Sequence, residues 1–183
     1  MYCLQGLKNL MQNTKNTLLK ELSVNDVVAL TILNEHIFYE SQSPDNIALL
    51  ARTVKRLPPN SIYLEVGTRS GMSMLAVALA NPTLELYGVD KDPRCEYFVH
   101  KKIDGINEVL TKFHVSGGQD WRLKERIHIL KGLSQEIDKT WKKPIDFLFL
   151  DGDHTGKGIA RDIISWSKFV KLNGFMGFHD YAD

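Results

Sequence analysis

The sequence predicts an α/β protein, a Rossmann-like, doubly wound and mostly parallel sheet behind an N-terminal helical segment. Three observations predict it. From residue 61 onward, short apolar runs alternate with stretches of helical period, the pattern of right-handed crossovers onto a parallel sheet. The runs are continuously apolar, as in "IDFLFL" at 145–150, and strands covered on both faces read in that way. The runs then stop at polar groups, Glu65, Asp90, Asp151 and Asp180 among them. Ligands of such sheets sit beyond the carboxyl ends of the strands, where the strand order reverses.

Residues 1–57 read as helical and residues 58–183 as the sheet-bearing domain. Leu4, Leu7, Met11, Leu18 and Leu22 fall on one helical stripe. Ser23-Val-Asn-Asp26 resembles a capping box opening a second helix. Ser43-Pro44-Asp45 is a third start signal, and Ile47, Leu50, Val54 and Leu57 give that helix a buried face before Pro58-Pro59-Asn60 stops it. A strand is expected over 61–66, a helix over 72–80 and a second strand over 84–89, ending at Asp90. Val99, Ile103, Ile106, Leu110 and Phe113 mark a helix that Gly117-Gly118 ends. Gly105 inside it costs about 1 kcal/mol relative to alanine. Strands follow over 127–130 and 145–150, then a helix marked by Ile159, Ile163, Trp166 and Val170, then a fifth strand over 174–178 ending at His179-Asp180.

The totals bound the function. With 183 residues, 43% hydrophobic and 25% charged, the chain suits a soluble globular protein with a real core. A net charge of +1 gives no electrostatic case for nucleic acid or membrane. The basic residues between Lys101 and Arg126 are interleaved with Asp104, Glu108, Asp120 and Glu125, which favours a solvated helix face with core aromatics over a nucleic-acid patch. Cys3 and Cys95 are far apart and have no metal-ligand spacing, which points to a reducing compartment. No apolar run is long enough to span a bilayer, and Gln, Lys and Asn among the first leucines do not make a secretory signal. The expected location is the cytoplasm.

The stretch "YLEVGTRSGMS", Tyr63 to Ser73, ends a strand in Glu65 and brackets a turn with Gly67 and Gly71. A dinucleotide fingerprint starting at Gly67 would need glycines at 69 and 72, where Arg69 and Met72 stand, so pyrophosphate binding is disfavoured. An ordinary strand-turn-helix would use the same residues. Asp90 closes the second strand about twenty residues on, where a carboxylate accepts from both ribose hydroxyls; it would equally cap the loop Lys91-Asp92-Pro93. Asp151 and Asp180 end the fourth and fifth strands. Neighbouring strands lie ~4.8 Å apart, so both carboxylates would converge on one hard cation, Mg²⁺, Ca²⁺ or Mn²⁺ rather than zinc. Such a cation holds a substrate hydroxyl and lowers its pKa, and His154 or His179 takes the proton. The plainer roles are a helix cap for Asp151 and structural hydrogen bonds for the histidines.

E-x-G-x-x-x-G at Glu65–Gly71 resembles the first motif of class I S-adenosylmethionine-dependent methyltransferases. "DFLFLDGDHTGKGIARDIISWSKFVKLNGFMGFHDY", Asp146 to Tyr181, resembles small-molecule O-methyltransferases (methyltransferase family 24) with a D-G-D-H strand end and a later H-D. The likeness runs from about residue 62 to 181. It implies an S-adenosylmethionine site at Glu65, Gly67, Thr68, Gly71, Asp90 and Asp151, with Leu133 and Ser134 of the Gly132-Leu133-Ser134 loop beside the adenine. That loop is equally well explained as a polar connection. The resemblance further implies metal ligation, by Mg²⁺ or another divalent cation, through Asp151, Asp180 and His179. His154 becomes the base, and Asp151 and His179 are catalytic with it. Asp162 matches a family acid, or else lies on a solvated helix face.

Two departures stand out. Gly156 follows Thr155 where an aromatic residue is common. The family's sheet runs 3-2-1-4-5-7-6, whereas this sequence stops just past strand five, which implies the order 3-2-1-4-5 with the last strands missing. Strand five would then be a bare edge, in a trimmed chain or one covered by the N-terminal helices or a second subunit. The reading is a methyltransferase acting on a small hydroxylated acceptor, a sugar or glycoside. The alternatives are a non-catalytic or truncated cofactor-binding module, or another nucleotide-binding Rossmann-type enzyme.

Overall fold

The computed structural model describes residues 44–112 and 122–179. The helices expected before Ser43, the Gly117-Gly118 stop and Asp180 lie outside the described residues. In chain order the elements are α1 (Pro44–Val54), β1 (Ile62–Val66), α2 (Met72–Ala80), β2 (Glu85–Asp90), α3 (Cys95–Lys112), α4 (Leu123–Arg126), β3 (Ile127–Lys131), α5 (Ser134–Ile137), β4 (Ile145–Leu150), α6 (Gly156–Trp166), a 3₁₀ turn (Ser167–Phe169) and β5 (Val170–Phe178). The strands form one sheet in the order β3-β2-β1-β4-β5, and every pair is parallel. Strand order reverses between β1 and β4, so the crevice opens at their carboxyl ends.

Strand periodicity divides the core. Tyr63, Leu86, Phe147 and Phe149 face α1, α2 and α3, joining Leu50, Val54, Leu75, Val99 and Ile103. Leu64, Val66, Tyr87, Val89, Leu148 and Leu150 face the other way, onto Trp141 and Trp166. Trp141 meets Tyr87 edge-on at 4.8 Å between ring centroids and Trp166 at 5.9 Å. Each large apolar side chain so withdrawn from water contributes about 1.5–3 kcal/mol. Arg126 adds a polar tie. It is 6% exposed, and its guanidinium donates to Ala78 O and Leu84 O, both at 2.8 Å, fixing the end of α2 to the start of β2.

Two expectations need correction. Val170 continues the helical spacing of Ile159, Ile163 and Trp166, yet it opens β5. The fifth strand therefore begins four residues before Gly174. Its first part is irregular: Ile145 pairs with Val170 and Phe147 with Phe175, and the extra residues bulge at Asn173, whose φ is 67°. Regular pairing runs over 175–178, within the expected range. Helix α3 passes through Gly105 unbroken, with open space where a side chain would point. Two short helices, α4 and α5, had no periodic signal. Among the described residues β5 pairs only with β4 and leaves Leu172 94% and Phe175 43% exposed. No described helix is long and apolar enough to cross a membrane.

Candidate active site

The parallel ladders do not stop with the strands. Gly132 N donates to Asp90 O at 2.9 Å, Gly67 N to Val89 O at 2.8 Å, Asp151 N to Val66 O at 2.8 Å and His179 N to Leu150 O at 3.0 Å. One more hydrogen bond past each strand end laces the outgoing chains into a single rim. That rim holds Gly67, Asp90, Gly132, Asp151 and His179.

The glycine turn is built by crowding. Gly67 has φ +89°, and a β-carbon there would lie 2.2 Å from Asp151 O. Gly71 has φ +78°, and its β-carbon would lie 2.6 Å from Val99 Cγ2. The first glycine lets β1 and β4 leave the sheet side by side, and the second lets α2 start against α3. Thr68 is buried, with its hydroxyl 3.4 Å from Glu65 O.

Glu65 lies beneath this turn, 0% exposed. Tyr63 Oη donates to its Oε2 at 2.7 Å and Ser73 Oγ to its Oε1 at 2.8 Å. Burial pushes its pKa up to about 8 against the pull of those two hydroxyls, and the Asp151 and Asp90 carboxylates raise it further. Burial, then Glu65, raises Tyr63 well above the usual phenol value. Asp90 sits higher. Arg69 N donates to its Oδ2 at 2.5 Å and Asp92 N to its Oδ1 at 2.8 Å. The Asp92 bond is the loop-capping role, and the Arg69 bond clips that loop to the glycine turn. Each carboxylate oxygen keeps a second lone pair for a ligand. Cys95, behind Asp90, is buried and its thiol is pushed up to about 12, which leaves it unreactive.

At the other end of the rim, Asp151 Oδ1 is 2.9 Å from His179 Nδ1 and 3.4 Å from His154 Nε2. Side-chain exposure is 13% for Asp151, 12% for His179 and 53% for His154. One donor atom from each lies within 4.8 Å of the others. The turn between Asp151 and His154 is local chemistry: Asp153 Oδ1 accepts from Thr155 N at 2.9 Å, and Thr155 Oγ1 caps α6 by accepting from Gly158 N at 3.1 Å. Thr155, not Asp151, is therefore the cap of the helix. Two imidazoles and a carboxylate are a softer donor set than paired carboxylates and suit Mn²⁺ and its heavier neighbours, zinc included, better than Mg²⁺. Asp180 lies outside the described residues, and His154 joins the group without having been expected as a ligand.

On the adenine side named by the sequence, Leu133 is 48% exposed and Ser134 is buried. Ser134 donates to Asp162, which is 4% exposed and so not on a solvated face. Tyr63, Ser73 and Gln135 also carry polar contacts here that sequence reasoning missed. Tyr63 had a signal, since it shares a strand face with Glu65 at period two.

A parallel sheet in the order 3-2-1-4-5, with acids along its carboxyl rim, is the Rossmann-like fold of class I S-adenosylmethionine-dependent methyltransferases. The model of a methyltransferase domain family matches residues 64–181, and the chain belongs to that family. An uncharacterized protein of Acanthamoeba polyphaga mimivirus is 28% identical over 121 residues, which is 66% of this chain and 52% of that protein. The chain thus spans about half the length of this curated relative. A Podospora anserina methyltransferase with S-adenosylhomocysteine bound aligns at TM-score 0.57 and 17% identity, covering 92% of this chain and 68% of that one. A Bacillus cereus O-methyltransferase in complex with S-adenosylhomocysteine aligns at TM-score 0.57 and 16% identity, covering 90% and 67%. At such identities the likeness is one of fold.

Proposed function

We propose that the chain is an S-adenosylmethionine-dependent O-methyltransferase whose acceptor is a hydroxyl of a small metabolite, a sugar or glycoside. The observation that carries this reading is the placing of Asp151, His154 and His179 immediately beside the Gly67 turn on one rim.

The residues fit the cofactor. The methionine end is placed over the Gly67–Gly71 turn, whose two positive-φ glycines pack against the Asp151 backbone and Val99 with Thr68 buried between them, and Asp90 retains acceptor capacity for ribose hydroxyls. Leu133 and Ser134 border the base. Glu65 supports the turn from below through Ser73. When bound, the cofactor supplies an electrophilic methyl on a sulfonium. The protein then has two tasks, to align an acceptor oxygen with that methyl and to remove one proton. His154, the exposed imidazole, takes the proton, and Asp151 holds it in place. His179 orients Asp151 from the buried side. Asp151 and His179 offer an oxygen and a nitrogen 2.9 Å apart, which fits a divalent cation held with Asp180. That cation would bind the acceptor oxygen and lower its pKa.

The test is transfer of labelled methyl to a panel of sugars, glycosides and other hydroxylated acceptors, with Mg²⁺, with Mn²⁺ and with a chelator. Transfer to a sugar hydroxyl that falls on chelation is the expected result. Labelling of nitrogen or carbon acceptors only would overturn the assignment.

A further inference from the structure

Among the described residues one group brings three metal-ligating side chains together, Asp151, His154 and His179. Two of them leave the sheet on neighbouring strands: Asp151 follows β4, and His179 follows β5 with its N–H on Leu150 O at 3.0 Å. His154 reaches the same point from the turn after β4. That turn is held from two sides. Thr155 N donates to Asp153 Oδ1 at 2.9 Å, and the Asp153 carboxyl packs where Gly158 has no side chain, since a β-carbon there would lie 2.1 Å from Asp153 Cγ. His154 Nε2 and His179 Nδ1 both converge on Asp151 Oδ1, at 3.4 Å and 2.9 Å, with their rings inclined at 72°.

These spacings suit one class of ion. Zinc binds imidazole nitrogen and carboxylate oxygen at about 2.0–2.1 Å in a tetrahedron, whose edges at that bond length are about 3.3 Å. Two of the three donor pairs already lie near that figure, and all three donors lie within 4.8 Å of one another. The His154 side chain is 53% exposed, which leaves the fourth corner to water. Mg²⁺ takes oxygen ligands in an octahedron and keeps its waters, so it gains little from two imidazoles. A neutral imidazole has one basic lone pair. When Nε2 gives it to a metal, Nδ1 carries the proton and neither nitrogen is left to act as a base. We propose that Asp151, His154 and His179 form an inhibitory Zn²⁺ site, which takes His154 out of the reaction by making it a ligand. The activating cation, held by Asp151 and His179 with Asp180, leaves His154 free. The inhibitory half of the inference rests on the methyltransferase reading; the ligand set does not.

The experiment titrates Zn²⁺ and Mg²⁺ calorimetrically into the wild type and His154→Ala, with the melting temperature of each as a check on folding. The wild type should bind Zn²⁺ more tightly than Mg²⁺ by about a hundredfold or more. Removing His154 should weaken Zn²⁺ by about a hundredfold and Mg²⁺ by less than about twofold. Co²⁺ reports the ligand set directly: it should show the intense visible bands of a four-coordinate ion in the wild type and lose them in His154→Ala. Zn²⁺ added to Mg²⁺-supported methyl transfer should abolish turnover while the affinity for S-adenosylhomocysteine, titrated in its presence, stays the same. Equal Zn²⁺ affinity in the two proteins overturns the inference, as does a Mg²⁺ affinity that falls along with it. Transfer undiminished by saturating Zn²⁺ overturns it too. Absence of transfer with every cation overturns the methyltransferase reading instead, and the two affinity ratios then still decide the ligand set.

Discussion

Glu65 concentrates the electrostatics of the site in one side chain. Its pKa is about 8 in the folded chain, against an ordinary 4.5. Between those values the folded state binds the extra proton, so stability is full below about pH 4.5 and falls as the pH rises toward 8. The slope from this one group is at most about 1.4 kcal/mol per pH unit. Glu65→Gln removes the titrating proton and keeps an acceptor for Tyr63 or Ser73. Urea midpoints at pH 5 and pH 8 should therefore differ more for the wild type than for the variant. Equal pH dependence in the two proteins would place the Glu65 carboxylate in water. The sequence marked Glu65 for the cofactor because of its place before the glycine turn. Burial decides that its carboxylate is met first by Tyr63 and Ser73, and residue order alone does not reveal burial.

Among the elements, the turn from β1 to α2 carries the tightest constraint. Gly67→Ala would force a β-carbon into the Asp151 backbone at a φ that side chains rarely adopt. It should destabilise the fold by about 1–3 kcal/mol and abolish cofactor binding. Arg126→Met should cost a similar amount, about 2–4 kcal/mol, because the buried carbonyls of Ala78 in α2 and of Leu84 before β2 lose their donor. Chemical denaturation measures both. These elements also show what the sequence could and could not reveal. Strands β1, β2 and β4 are central and mostly apolar, and were legible to within one residue of their ends. Strand β5 is an edge with a bulge, so its first residues alternate poorly and Val170 passed for the last turn of a helix. Asp90 and Asp151 were legible because a strand end locates them on the rim. The Ser134–Asp162 contact joins residues 28 apart across two helices, and no local pattern announces it.

For the whole molecule, the rim divides into two halves. On the proposed reading, Gly67, Asp90 and the Gly132–Ser134 segment serve the cofactor, and Asp151, His154 and His179 serve the acceptor. A ligand that binds only the native state raises stability by about 2.7 kcal/mol at one hundred times its dissociation constant. S-adenosylhomocysteine should therefore raise the melting temperature where NAD, whose pyrophosphate motif is missing at Arg69 and Met72, does not. The most direct test of this division is calorimetric titration of S-adenosylhomocysteine into the wild type, Asp90→Ala and Asp151→Ala, paired with methyl transfer by each. Asp90→Ala should lose most of its affinity for the nucleoside, while Asp151→Ala should bind it nearly as well as the wild type and transfer no methyl. An Asp151→Ala protein that loses as much affinity as Asp90→Ala would contradict the account.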